Sequence, residues 1–221
     1  MLAFEELGRL FTATTQQLVT FSFGSSGLLA KQVMEGAPFD VFAAANVAFV
    51  DNVVSAGACD GATKRPYARG RIVVWSRQDM AKPVAALEDL ADPRFKRIAM
   101  ANPEHAPYGQ AAKEALEQAG IWKAVKPRLV FGENASQTLQ LAATGNVEAA
   151  IVALSLVVQD KSNPWLLVPE DRHQALNQTL VACRRGSNHA GGEAFARFVG
   201  SEQGRGVMRR YGFLLPTESL P

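Results

Sequence analysis

The sequence is poor in the residues that carry covalent and metal chemistry. Its 221 residues include two cysteines and three histidines. Cys59 and Cys183 stand far apart, form no metal-ligand spacing, and are not paired by any sequence argument. Of His105, His173 and His189, none has an acidic partner at a telling separation, and only His105, beside Glu104 at a turn, invites a catalytic reading. A nucleophile elbow needs Gly-x-Ser-x-Gly, and Gly24-Ser25-Ser26-Gly27-Leu28 lacks the final glycine. The P-loop and Gly-x-Gly-x-x-Gly patterns are absent, and the carboxylates are scattered. No apolar run approaches the roughly 18 residues of a membrane-spanning helix. Net charge is +2, too small to drive binding to nucleic acid or a membrane surface. Met1-Leu2-Ala3-Phe4-Glu5-Glu6 has neither a basic nor a long apolar segment, so no signal peptide is visible.

What is present is an ordinary globular composition, 48% apolar and 20% charged, in a chain long enough for one large domain or two lobes. Val19-Thr20-Phe21-Ser22-Phe23 reads as a strand, and Leu28 to Val33 carry helical spacing closed by Gly36. Between them lies Gly24-Ser25-Ser26-Gly27. A helix starting there points unpaired N–H groups and the positive end of its dipole at the junction. Two readings stand side by side: a plain Ser cap, or a seat for an anion.

Downstream, Val41 to Ala44 reads as a short strand and Val47 to Ala56 as a helix. Gly61 to Gly70 is a basic, turn-rich connection leading to the strand Arg71–Trp75. Leu87–Pro93 reads as a short helix with a proline stop. The strand Arg97–Ala101 runs through Pro107-Tyr108-Gly109 into a helix from Gln110 to Ala119. The strand Arg128–Phe131 runs through Asn134-Ala135-Ser136 into a helix from Gln137 to Thr144. Ala149–Ala153 has no polar residue and reads as a buried strand. Thr179–Cys183 is a further strand, and two helices close the chain. Alternating strands and helices imply an α/β fold, with ligands beyond the carboxyl ends of the strands. Three nearly uncharged junctions of one kind, 24–27, 107–109 and 134–136, can hold a dianion without lysine or arginine.

Several stretches together resemble the periplasmic molybdate-binding proteins of ABC importers: Phe21-Ser22-Phe23-Gly24-Ser25-Ser26-Gly27-Leu28-Leu29-Ala30, Gly36-Ala37-Pro38-Phe39-Asp40-Val41-Phe42 and Arg65-Pro66-Tyr67-Ala68-Arg69-Gly70, then Ala101-Asn102-Pro103-Glu104-His105-Ala106-Pro107-Tyr108-Gly109-Gln110-Ala111-Ala112, Gly132-Glu133-Asn134-Ala135-Ser136-Gln137 and Arg209-Arg210-Tyr211-Gly212-Phe213. The resemblance covers nearly the whole chain. It implies a two-lobe periplasmic-binding-protein fold (type II), with mostly parallel sheets flanked by helices and the ligand in the interlobe cleft. Lobe one is expected over 1–70 plus 183–221, and lobe two over 71–182, with Arg71–Trp75 and Leu180–Cys183 as the crossings.

Carried over by position, the resemblance implies Ser26, Tyr108 and Ala135 as oxyanion donors, with Ser25, Gly27, Gly109 and Asn134 as further candidates. Where some members carry a tyrosine after the last lobe-two strand, this chain has Ala153. The metal of molybdate or tungstate would be held through its oxygens, with no direct protein–metal ligand and no cofactor. Family members begin with a strand and a turn bearing a Ser or Thr-Asn pair, and this chain starts just after that point. The signal peptide would lie in the same preceding piece. The implied function is non-enzymatic: a periplasmic monomer that delivers molybdate to an ABC permease. The alternatives are a binder of another small anion such as sulfate or phosphate, a cytoplasmic ligand-sensing domain, and, from another class, an enzyme using Ser26 or His105.

Overall fold

The computed structural model describes residues 1–80, 82–216 and 218. In chain order the elements are α1 (Leu2–Thr15), α2 (Ser26–Met34), β1 (Val41–Ala44), α3 (Val47–Ser55), β2 (Arg65–Gly70) and β3 (Ile72–Ser76). They continue with β4 (Ile98–Ala101), α4 (Pro107–Gln118), α5 (Trp122–Val125), β5 (Leu129–Gly132), α6 (Ala135–Ala143) and β6 (Ala149–Ala153). The last are α7 (Leu154–Val157), β7 (Trp165–Leu167), β8 (Leu176–Ala182), α8 (His189–Val199) and α9 (Glu202–Arg210). The chain divides into two compact units, Met1–Gly70 with Asn177–Pro221, and Arg71–Leu176. The return to the first unit thus falls near the start of β8, ahead of residue 183, because nearly all of β8 belongs to the first unit's sheet.

In the first unit a three-stranded sheet runs β1-β8-β2. Successive side chains on a strand point to opposite faces, and the core divides accordingly. Leu180 joins Leu7, Phe11, Phe195, Val207 and Met208 from α1, α8 and α9. Its neighbour Val181 joins Ala30, Val33, Val50 and Val53 from α2 and α3, with Phe42 and Ala44 of β1. Helices therefore cover both faces of a short sheet.

The second unit holds a five-stranded sheet, β5-β4-β6-β3-β7. Ile72 and Val74 face Ala111, Ala112, Ala115 and Leu116 of α4. Val73 and Trp75 face the opposite core, to which α6 contributes Ala142. Strands covered on both faces must be apolar throughout, and all of Ala149–Ala153 is buried as that composition requires. The pairing is mixed. β4 is parallel to β5 and β6, whereas β3 is antiparallel to β6 and β7, and β1 is antiparallel to β8. The expectation of mostly parallel sheets thus holds for the β5-β4-β6 part and fails for the pairs that β3 makes and for β1 with β8.

Two local expectations are corrected. Val19–Phe23 forms no strand. β1, its nearest sheet neighbour in sequence, pairs only with β8. Phe21 instead packs among Phe4, Phe23 and Phe195, so aromatic packing outweighs strand propensity. Conversely, the basic segment read as a connection contains β2, an edge strand, where Pro66 removes no interior ladder bond. Lys64 beside it forms an ion pair with Asp51.

Cys59 and Cys183 form a disulfide. Both are buried among the residues of the α2/α3 core. The bridge joins the segment after α3 to the residue that follows β8, where the two chain segments already pair.

Candidate functional site: backbone donors at three helix starts

Each junction is a helix N-terminus whose N–H groups can be counted. In α2, the Ser25 side chain accepts from Leu28 N–H at 3.4 Å, and Leu29 N–H reaches Ser25 O at 3.0 Å. The first-turn N–H groups left over are those of Ser26 and Gly27, which have no acceptor within the helix. Both serines are buried, Ser25 at 3% exposure and Ser26 at 8%. Ser26 Oγ accepts from Ala45 N–H at 3.1 Å.

α4 begins with Pro107, whose missing N–H is no loss at that position. Gln110 N–H reaches Ala106 O at 3.0 Å, and Gly109 N–H in the same first turn has no intrahelical acceptor. The Tyr108 ring packs against the α4 side of the second unit's core.

At α6 the Asn134 side chain accepts from Gln137 N–H at 2.9 Å, and Thr138 N–H reaches Asn134 O at 3.0 Å. Glu133 N–H donates in turn to the Gln137 side chain. The arrangement resembles a capping box, but the Gln137 side chain meets the residue before the cap rather than the cap itself. It leaves Ala135 N–H and Ser136 N–H without an intrahelical acceptor. Thr138, fully buried, also donates through its hydroxyl to Asn134 O at 2.8 Å.

The pattern recurs at all three helix starts: at least one first-turn N–H group has no intrahelical acceptor. Anions are favoured there by the partial positive charge and by the N–H groups themselves. Ser26, Gly27, Gly109 and Ala135 supply such groups, and Tyr108 stands beside Gly109 in the first turn of α4. Ser25 and Asn134, also candidates from the sequence, spend their side chains on capping. Ser136, inside the third junction but not chosen as a donor, stands in the same position as Gly27 at the first; counting first-turn N–H groups would have found it. Ala153 ends β6 and caps the four-residue α7 without a side-chain hydrogen bond.

The arrangement lacks the parts of a nucleophile. Ser26 Oγ is held by a backbone amide, which cannot take its proton, so no general base activates it there. Among the described residues, no group of three or more His, Cys, Asp or Glu is placed to hold a metal ion. What the geometry offers is a set of hydrogen-bond donors.

Over residues 1–214 the chain matches the family described as bacterial extracellular solute-binding protein. The chain belongs to that family. Among its relatives, the molybdate-binding protein ModA of Rhodobacter capsulatus is 33% identical over 213 residues, covering 95% of this chain and 82% of the relative. The solved structure of the Azotobacter vinelandii periplasmic molybdate-binding protein superposes with a TM-score of 0.90 at 25% identity, over 97% of this chain and 95% of that one. The sulfate-binding protein SubI of Mycobacterium tuberculosis superposes with a TM-score of 0.79 at 15% identity, over 97% of this chain and 83% of that one, a likeness of fold alone. These family members are substrate-binding proteins and not enzymes.

Proposed function

We propose that this protein binds molybdate or tungstate and delivers it to the membrane permease of an ABC importer, acting as a monomer in the periplasm. The observation that carries the reading is the repetition, in each unit, of first-turn N–H groups that have no intrahelical acceptor. Ser26 and Gly27 supply such groups in the first unit, and Gly109, Ala135 and Ser136 supply them in the second. The Ser26 hydroxyl adds a side-chain donor. None of these donors is a lysine or arginine group, so an anion at any of these helix starts is met by dipoles rather than by counter-charges. Such a site releases its ligand without breaking an ion pair, and it resists screening by salt. The molybdate-binding relatives support the choice of anion.

The Cys59–Cys183 disulfide supports the compartment, since such bridges persist where thiols are oxidised. Calorimetric titration with molybdate, tungstate, sulfate and phosphate tests the reading. Sub-micromolar binding of the first two, with no heat from sulfate or phosphate, is the expected result. Preference for sulfate would reassign the protein to another small anion. No response to any of the four would overturn the reading.

A further inference from the structure

The Ser26 hydroxyl is held in one sense only. A serine oxygen carries one hydrogen and can also accept. Its Oγ accepts from Ala45 N–H at 3.1 Å, and that bond has a fixed direction because an amide N–H can only donate. Ser26 is 8% exposed and Ala45 is equally buried at 8%. No acceptor for the Ser26 hydroxyl hydrogen stands among the described residues. A buried hydroxyl whose hydrogen has no acceptor is a cost unless a ligand supplies one.

Ala45 is itself placed firmly. It follows Ala44, the last residue of β1, which pairs with Thr179 of β8. It precedes Asn46, whose side chain caps α3 by accepting from Ala48 N–H at 2.9 Å. The end of one strand and the start of one helix therefore fix where this amide points, and the amide turns the hydroxyl of the neighbouring helix start.

We propose that the Ala45 backbone N–H is a positioning group for anion binding, which holds Ser26 Oγ as an acceptor so that its hydrogen is presented to an oxyanion oxygen. The inference rests on the oxyanion-binding reading above. The chain Ala45 N–H to Oγ, then O–H to anion, also polarises in one direction, so each bond strengthens the other. Ala45 touches no ligand in this scheme; it acts through Ser26.

The test is a double-mutant cycle read by molybdate titration. Ala45→Pro removes the N–H, and the strand conformation of Ala44 before it is the one that proline favours in its predecessor. Ala45→Pro should weaken molybdate binding several-fold in the parent and change it little in a Ser26→Ala background. Equal losses in the two backgrounds, or no loss in the parent, would overturn the proposal. A second measurement does not depend on Ala45→Pro folding. The Ala45 amide proton should move downfield on molybdate addition in the parent and stay put in Ser26→Ala. An Ala45 resonance indifferent to molybdate in the parent would count against the proposal. A parent that binds none of the oxyanions defeats the functional reading and this one with it; a parent that binds molybdate with additive losses defeats this one alone.

Discussion

Gly109 lies so close to the carbonyl of Ala101 that a β-carbon built on it falls 2.2 Å from the oxygen. The first turn of α4 is thereby pressed onto the carboxyl end of β4, which sets where Tyr108 and Gly109 present their N–H groups. Alanine in place of a helical glycine ordinarily stabilises by about 0.5–1 kcal/mol. Here the obstructing atoms are backbone and cannot swing away, so overpacking at about 1–3 kcal/mol decides the sign. Gly109→Ala should lower the denaturation midpoint and weaken molybdate binding together. A variant more stable than the parent would show that α4 is not held against β4.

On the proposed reading, Ser26→Ala removes one hydrogen bond to a charged ligand, worth roughly 1.5–3 kcal/mol. Molybdate affinity should fall about tenfold or more by calorimetry. The same change strands Ala45 N–H in a buried site, so chemical denaturation of the ligand-free protein should also show a loss of about 1–3 kcal/mol. Unchanged affinity would remove Ser26 from the site.

The Cys59–Cys183 bridge ties the core beneath α2 and α3, the helices next to Ser26 and Ala45. Its loss should cost about 2–5 kcal/mol of stability. Denaturation with and without a reductant, compared with Cys59→Ser/Cys183→Ser, reads the loss directly. A midpoint insensitive to both would mean that the native protein carries two thiols.

In the second unit, N–H groups of Ala85 and Ala86 donate to Asp89 at 2.8 and 3.1 Å. These backbone hydrogen bonds, Ala85 first and Ala86 second, hold its carboxyl below the ordinary aspartate range, against a smaller opposing effect of desolvation. A depressed carboxyl stabilises the fold fully above its unfolded pKa of about 3.9 and loses that contribution as pH falls through the lower folded value. Between the parent and Asp89→Asn, the stability difference should therefore be constant near neutrality and shrink below about pH 4. A difference that stays constant into strong acid would show that Asp89 is not held this way.

Much of the candidate site is legible because its chemistry is local. Gly-Ser-Ser-Gly, Pro-Tyr-Gly and Asn-Ala-Ser each spell a helix start within a few residues, through caps and proline at the first position. The division of labour inside each junction is not legible in the same way. Ser25 and Ser26 are adjacent and chemically identical, yet one caps α2 while the other accepts from an amide 19 residues on. Asn134 and Ser136 part similarly, one as a cap and one with its N–H left over.

The sequence by itself determined the alternation of strands and helices, the buried apolar strands of the second unit and the three helix starts, because propensity, capping and periodicity act over a few residues. Only the tertiary structure decided what depends on partners distant in the chain. Val19–Phe23 has strand-forming residues but lacks a ladder and takes aromatic neighbours instead. Arg65–Gly70 becomes a strand because β8 lies beside it. Cys59 meets Cys183, and Ala45 N–H meets Ser26 Oγ, only when β1 and β8 pair and α2 packs beside α3.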